Sequence, residues 1–285
     1  MLIRVLTAVV GLPVLLASVW WGAPWFTILA AAAAVLGIWE FYRLFPRNSH
    51  GNSQAFGAGR PPFLLGALWV VALVLGAQAA AGVENFLIIS GGILAVGAFI
   101  TLLWFIGFFT GRRGYLTLIY LLAGSVYIGF LLAHGPALRE FGPSEGLGEL
   151  GRNFLLLALL AVFATDTGAF FTGRRIGKHL LAPSISPNKT WEGSAGGLAS
   201  AVAASLIVGQ VLNLATPLWQ LGLLGVAIGF VAQVGDLLES KVKRLSGVKD
   251  TGSIIPGHGG ILDRLDSVVV TIPTVYYFVV VAVKP

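Results

Sequence analysis

Long, continuously apolar runs separated by short polar stretches dominate the chain. Nine stand out: Val5–Trp21, Trp25–Leu44, Phe63–Ala81, Phe86–Phe109, Tyr115–Ala133, Phe154–Phe171, Ala195–Leu214, Leu218–Leu238 and Val268–Val283. Each approaches or exceeds the ~18–20 residues that cross a bilayer as helix. Continuous runs also exclude a membrane β-barrel, whose strands alternate apolar and polar positions. The pattern predicts an all-α polytopic membrane protein with about nine transmembrane helices. One integral membrane domain over residues 1–285 is expected, with helical spans in 1–133 and the candidate chemistry in 154–285. The first run has only Arg4 as a basic flank and no small-x-small cleavage site after it, so it is expected to stay as an anchor.

Composition agrees. Of 285 residues 56% are hydrophobic and only 11% charged, and the mean hydropathy is +0.88. There is no cysteine, which excludes disulfides and thiolate metal sites. His50, His134, His179 and His258 fall in no HExxH spacing, which excludes a zincin-type centre. The net charge of +6 could suggest nucleic acid as a partner, but the positions of the charges argue otherwise. With the N-terminus cytoplasmic, the inner loops hold Arg4, Arg43, Arg47, Arg60, Arg112, Arg113, Arg174, Arg175, Lys178, Lys189, Lys241, Lys243, Arg244, Lys249 and Arg264. Only Arg139, Arg152 and Lys284 fall outside. That asymmetry predicts a cytoplasmic N-terminus and no nucleic-acid partner. Arg47–Pro62 reads as a flexible inner connector, and Gly135–Asn153 as the longest outer loop.

The acids sharpen the picture. Glu84, Glu140, Glu145 and Glu149 fall on the outer side, whereas Asp166, Glu192, Asp236, Glu239, Asp250, Asp263 and Asp266 fall in the C-terminal half near the inner face. Asp166 and Asp236 interrupt apolar spans, where a carboxylate costs ~2.5–3.5 kcal/mol at mid-membrane. Such groups face a water-filled cavity or a cation. In DLLESKVKR, Asp236, Glu239, Ser240 and Lys243 share one helical face. A solvated helix end would explain Glu239 and Lys243 but not Asp236.

Ser240–Asp266 packs eight charged side chains and a histidine into 27 residues. Gly252, Gly257, Gly259 and Gly260 allow tight turns or close approach to a ligand. Asp263 and Asp266 form a DxxD pair that could hold a cation, or merely complement a helix N-terminus. With Asp236 and the neighbouring Lys and Arg, the set suits carboxylates on Mg²⁺ and bases on phosphates. His258, alone among glycines, reads as a hydrogen-bonding loop residue rather than a base. Ala164–Gly197 adds a basic, Ser/Thr-rich loop bounded by Asp166 and Glu192. Its GRRIGK is no P-loop: the glycine spacing is short by one, and His179 stands where Ser or Thr is required.

S-x-V-K-R-x4-K-D-x-G-x2-I-P-x-H-G-G-I-x-D-R-L-D, from Ser240 to Asp266, resembles in full the signature of the phosphatidate cytidylyltransferase (CDP-diacylglycerol synthase) family. ATDTGAFFTGRRIGKHLLAPSISPNKTWEG is similar to that family's second marked block, with Asn188 where relatives often carry lysine. The N-terminal half matches only as hydrophobic spans. The resemblance implies transfer of CMP from CTP to phosphatidate at the cytoplasmic membrane face. It further implies Mg²⁺ on Asp236 and Asp263, with a monovalent cation such as K⁺ close by. Lys243, Arg244, Lys249 and Arg264, with Asp250 and Asp266, would complete the catalytic set. Asp166, Arg174, Lys178, Ser186, Lys189, Thr190, Glu192, Ser240, His258, Gly259 and Gly260 would bind substrates. Whether Arg174, Arg175, Lys178 and Lys189 hold the lipid phosphate or CTP is open at this stage, as is a homodimer. A bacterial plasma membrane is the expected location. Rival readings are a transferase acting on another lipid phosphate or a polyprenol, and an ion-coupled transporter using Asp166 and Asp236.

Overall fold

The computed structural model describes residues 2–45, 61–80, 82–108, 114–142, 149–257 and 259–283. Of the positions singled out above, Arg47, His50, Arg60, Arg112, Arg113, Glu145, His258 and Lys284 lie outside them. Each of the nine apolar runs forms helix. In chain order the elements are α1 (Leu2–Trp21), α2 (Trp25–Arg43), α3 (Phe63–Ala79), α4 (Gly82–Phe108), α5 (Gly114–Gly124), a π-helical segment (Ser125–Phe130) and α6 (Leu131–Arg139). Then come α7 (Glu149–Ile176), β1 (Leu180–Ala182), β2 (Ser186–Thr190), α8 (Trp191–Val211), α9 (Leu218–Leu245) and α10 (Leu262–Ala282). Among the described residues seven helices are long and apolar enough to span a membrane: Trp25–Arg43, Gly82–Phe108, Tyr115–Arg139, Glu149–Ile176, Trp191–Val211, Leu218–Leu245 and Leu262–Ala282. Val9–Trp21 and Phe63–Ala79 are apolar but shorter. The chain is an all-α polytopic integral membrane protein.

Two expectations need correction. Gly135–Asn153 is helical at both ends, because α6 runs through Pro136 to Arg139 and α7 starts at Glu149. Burial of Ala137 and Leu138 accompanies the helix through the first part of that stretch. The supposed loop between Asp166 and Glu192 is mostly ordered structure. It is the last turns of α7, then a two-stranded antiparallel hairpin pairing Leu180 with Thr190 and Ala182 with Ser186.

The described chain forms two compact units. The first comprises residues 1–137 and 245–263. There α3 packs against α2, α4 and the π-helical segment. Its buried stripe, Trp69, Val70, Leu73, Val74 and Ala77, follows the helical period. Gly129 lets the π-helical segment approach α3, where an added Cβ would sit 2.9 Å from Val70 Cγ1. On α4, Leu87, Ile88, Phe99 and Ile106 are exposed, a surface that suits lipid rather than water.

The second unit comprises residues 138–244 and 264–285. Its helices meet through small residues, as membrane helices do when close backbone approach replaces hydrophobic driving force. A Cβ on Gly197 of α8 would lie 2.9 Å from the Thr165 carbonyl of α7, and one on Gly225 of α9 would lie 3.0 Å from the Ala201 carbonyl of α8. Near the acids, a Cβ on Gly235 of α9 would lie 2.6 Å from the Asp266 carbonyl of α10.

Candidate active site

The second unit builds its polar surface from the ends of these helices. As α7 finishes at Ile176, the Gly177 amide still donates to the Gly173 carbonyl (3.0 Å). The hairpin then returns the chain to α8, whose first turn is secured on both sides. Thr190 Oγ1 accepts from the Gly193 amide (3.1 Å), a helix N-cap. Glu192 accepts from the amides of Lys178 (3.1 Å) and His179 (3.2 Å) and lies 2.6 Å from His179 Nδ1. Glu192 and Thr190 therefore lock the hairpin to α8. That places the next side chain back along the strand, Lys189, where it pairs with Asp236 of α9.

The acidic stripe of α9 forms as its spacing requires. Ser240 Oγ donates to Asp236 Oδ1 (3.3 Å), and Lys243 Nζ sits 3.1 Å from Glu239 Oε1. The latter pairing would suit a solvated helix end, yet Glu239 is only 3% exposed. It also neighbours the carboxyl of Asp266 on α10. Asp166 of α7 shares the electrostatic neighbourhood of Asp236, Asp266, Lys189 and Arg264. Four carboxylates from three helices thus gather with two lysines and an arginine within one unit.

Beside them opens a cavity of about 480 Å³. Asp166, Asp236, Lys189, Arg174, Asn188 and Gln233 give it polar walls, and Phe170, Leu181 and Leu237 give it apolar ones. Gln233 is held by its amide N–H groups, which donate to the carbonyls of Gly229 (2.8 Å) and Ser194 (3.3 Å). This size and mixed lining are those of a small-molecule site. Of the expected binding residues, Asp166, Arg174, Lys189 and Thr190 line it. Arg175 and Lys178 are exposed, and Ser186 is half-buried at the start of β2. Arg244 instead donates to the Ile185 carbonyl at the hairpin turn (3.2 Å).

The remaining expected residues belong to the first unit. Lys249 and Asp250 are exposed on the segment before α10. Gly257 and Gly259 take φ of +77° and +85°, conformations that favour glycine, and Ile255 pairs with Gly259 across the turn. Asp263 folds back on this segment, its carboxylate accepting from the amides of Thr251 (3.0 Å) and Gly260 (2.8 Å).

The same segment exposes an omission. Glu40, in the apolar run of α2, is fully buried. Its Oε2 accepts from Thr251 Oγ1 (3.0 Å) and the Leu262 amide (2.9 Å). Its partners lie more than two hundred residues away, and Glu40 has no local motif, so spacing rules pass over it. The signal available was a single carboxylate inside an apolar run.

Among the described residues, no three His, Asp or Glu side chains converge as a ready-made metal cage. Mg²⁺ does not require one. It binds through one or two carboxylates and fills its other positions with water and substrate phosphate oxygens. Asp236, on the cavity wall beside Asp166, is a carboxylate of the kind that need calls for.

Comparison with known proteins agrees with this chemistry. The model of the cytidylyltransferase family matches residues 2–282. The match therefore extends through the N-terminal half, where sequence reading found only hydrophobic spans. A phosphatidate cytidylyltransferase of Brucella suis is 32% identical over 284 residues, 99% of this chain and 94% of the relative. The enzyme of that name from Bacillus subtilis is 39% identical over 164 residues, 58% of this chain and 57% of the relative. One from Staphylococcus epidermidis reaches 47% over 130 residues, 46% of this chain and 48% of the relative. Matched nearly end to end by the family model and by a relative of similar length, the chain belongs to the cytidylyltransferase family.

Proposed function

We propose that the chain transfers the CMP moiety of CTP to phosphatidate, giving CDP-diacylglycerol and pyrophosphate. The observation that carries this reading is the cavity of the second unit, where carboxylates and basic side chains converge at membrane-helix ends beside an apolar wall. A lipid phosphate and a nucleotide triphosphate both need such a surface, and the relatives named above are named for this activity.

In the proposed reaction a phosphatidate oxygen attacks the α-phosphorus of CTP. The new P–O bond forms as the bond to the β-phosphate oxygen breaks and pyrophosphate leaves. Both reactants are polyanions, so the chain's task is to hold them in line and offset their repulsion. Lys189 and Arg174 on the cavity wall, with Arg264 and Lys243 nearby, supply positive charge for the triphosphate and the departing pyrophosphate. The lipid phosphate has its second pKa at ~6 and is already largely dianionic at neutral pH, so the chain need not supply a base. The lipid phosphate is itself the nucleophile, so direct transfer needs no covalent intermediate on a side chain of the protein.

Asp236 with Asp263 would hold Mg²⁺, which when bound would supply Lewis-acid stabilisation of the charge developing on phosphate. Asp236 and Asp263 lie in separate compact units, and their sharing of one ion rests on the sequence resemblance. A nearby monovalent cation rests on the same resemblance. The basic loops support a cytoplasmic N-terminus and active site, and the bacterial source of the relatives named above supports a bacterial plasma membrane. Nine crossings follow if the two shorter apolar helices also span. Phe63–Ala79, at 17 residues, reaches ~25 Å, within what local bilayer thinning accommodates.

The test is incorporation of radiolabelled CTP into lipid by purified protein with phosphatidate and Mg²⁺. Lipid-linked CMP is expected, dependent on Mg²⁺ and reduced by ~10²-fold or more in Asp236→Asn, a loss of the size produced by removing one preorganised electrostatic group. Folded protein that transfers no CMP to any of several lipid phosphates would overturn the proposal.

A further inference from the structure

Glu40 lies in a different part of the sequence from every residue assigned above. It occupies the last turn of α2, a membrane-spanning helix, and is fully buried. A carboxylate is costly there unless its environment uses it. Both of its hydrogen bonds come from one segment. Thr251 donates its hydroxyl and Leu262 its amide, at the two ends of the stretch that precedes α10.

The stretch is gripped by a second carboxylate as well. Thr251 donates its amide to Asp263 while its hydroxyl donates to Glu40, and Gly260 also donates to Asp263. Leu262 is the first residue of α10, so its amide is one of the helix-start donors that lack a partner within the helix. Glu40 satisfies that donor from another helix. Two glycines make room for the carboxylate. A Cβ on Gly252 would lie 2.9 Å from Glu40 Cδ, and one on Gly260 would lie 2.7 Å from Glu40 Oε1. All these contacts fall within the first unit.

We infer that Glu40 is a positioning residue: it clamps both ends of the Thr251–Leu262 segment and so fixes the backbone that carries Asp263 at the start of α10. The clamp acts through hydrogen-bond acceptance and not through charge. The inference rests on the proposed transfer reaction only where turnover is the readout. Oε2 accepts both bonds, so a glutamine can place its carbonyl oxygen there and keep them. An alanine keeps neither.

The experiment uses the full chain in detergent and compares wild type with Glu40→Ala and Glu40→Gln. It reads hydrogen exchange in peptides covering residues 251–262, and kcat and KM for CTP with phosphatidate and Mg²⁺. In Glu40→Ala, exchange across the segment should quicken by ~10-fold or more, the effect of leaving buried donors without an acceptor. Turnover should drop by ~10-fold or more through kcat, with KM for CTP held within about twofold, as expected when a residue shapes the reacting geometry alone. Glu40→Gln should restore native exchange and most of kcat. If Glu40→Ala does not fold, Thr251→Val, which removes one donor and retains the side-chain shape, should quicken exchange and lower kcat to a smaller extent.

Native exchange in Glu40→Ala, or in Thr251→Val where alanine does not fold, would overturn the clamp. A glutamine variant with native exchange but the kcat of the alanine variant would overturn positioning by assigning the role to charge. Were the wild type inactive, the transfer reaction would fall while exchange still decided the clamp.

Discussion

Gly235→Ala offers the most direct test of whether helix contact sets the geometry of the acids. Gly235 precedes Asp236 on α9 and faces α10 so closely that an added Cβ would sit 2.6 Å from the Asp266 carbonyl oxygen and 2.6 Å from Val270 Cγ2. Ordinary contact lies near ~3.5 Å, so the two helices must part locally by roughly 0.9 Å. One obstacle is backbone, which cannot rotate away as a side-chain tip can. Overpacking of this kind costs ~1–3 kcal/mol. The catalytic effect should be larger, because displacing reacting groups by about 1 Å can cost ~10²-fold in rate. Gly235 immediately precedes Asp236, and Glu239 one turn further on neighbours Asp266 of α10, so the displacement falls beside these acids.

The control is Gly222→Ala on the same helix, where nothing lies within 4 Å of the added methyl. It should leave transfer unaltered and stabilise by up to ~1 kcal/mol through helix propensity. Both variants would be purified in detergent and compared by CMP transfer to lipid and by thermal unfolding. Gly235→Ala is expected to lose ~10- to 100-fold in kcat, with a lower melting temperature. Wild-type turnover and melting in that variant would refute the claim that close α9–α10 contact positions the acids.

Two further substitutions probe the elements that present the site. Thr190→Ala removes the α8 N-cap and should destabilise by about 1 kcal/mol in thermal unfolding, whereas Thr190→Ser should retain it. Lys243→Met removes the cation beside Glu239, whose side chain is 2% exposed. It should destabilise by ~1–3 kcal/mol in denaturant titration, the cost of leaving a buried polar group without its partner, and unchanged stability would refute a structural role for the pair.

Hydrophobic runs carried the helices because burial in lipid needs a local, continuous property, and each of the nine runs became helix. What they could not carry was the fate of polar segments. The hairpin at Leu180–Thr190 contains Pro183, Pro187, Asn188 and Lys189, a composition that reads as loop. It pairs because Thr190 and Glu192 secure its far end to α8 while the His179 carbonyl accepts the Trp191 amide (2.9 Å). These are tertiary bonds, invisible to periodicity. The extension of α7 to Ile176, beyond its apolar run, likewise reflects helix continuation through polar residues.

The site divides along the same line. Asp236, Ser240, Glu239 and Lys243 were legible because a helix converts spacing into a shared face. Asp166 was legible because a carboxylate in an apolar run is expensive. The cavity-facing Gln233 was not, since an uncharged amide near a helix end breaks no rule of composition; only its bonds to Gly229 and Ser194 show that it is held in place. Glu40 is the more instructive omission, because it breaks the same rule as Asp166. An ionisable group in an apolar run therefore needs a physical account even when it stands far from every motif. For Glu40 that account is the Thr251 hydroxyl and the Leu262 amide, brought to it by the fold from the opposite end of the chain.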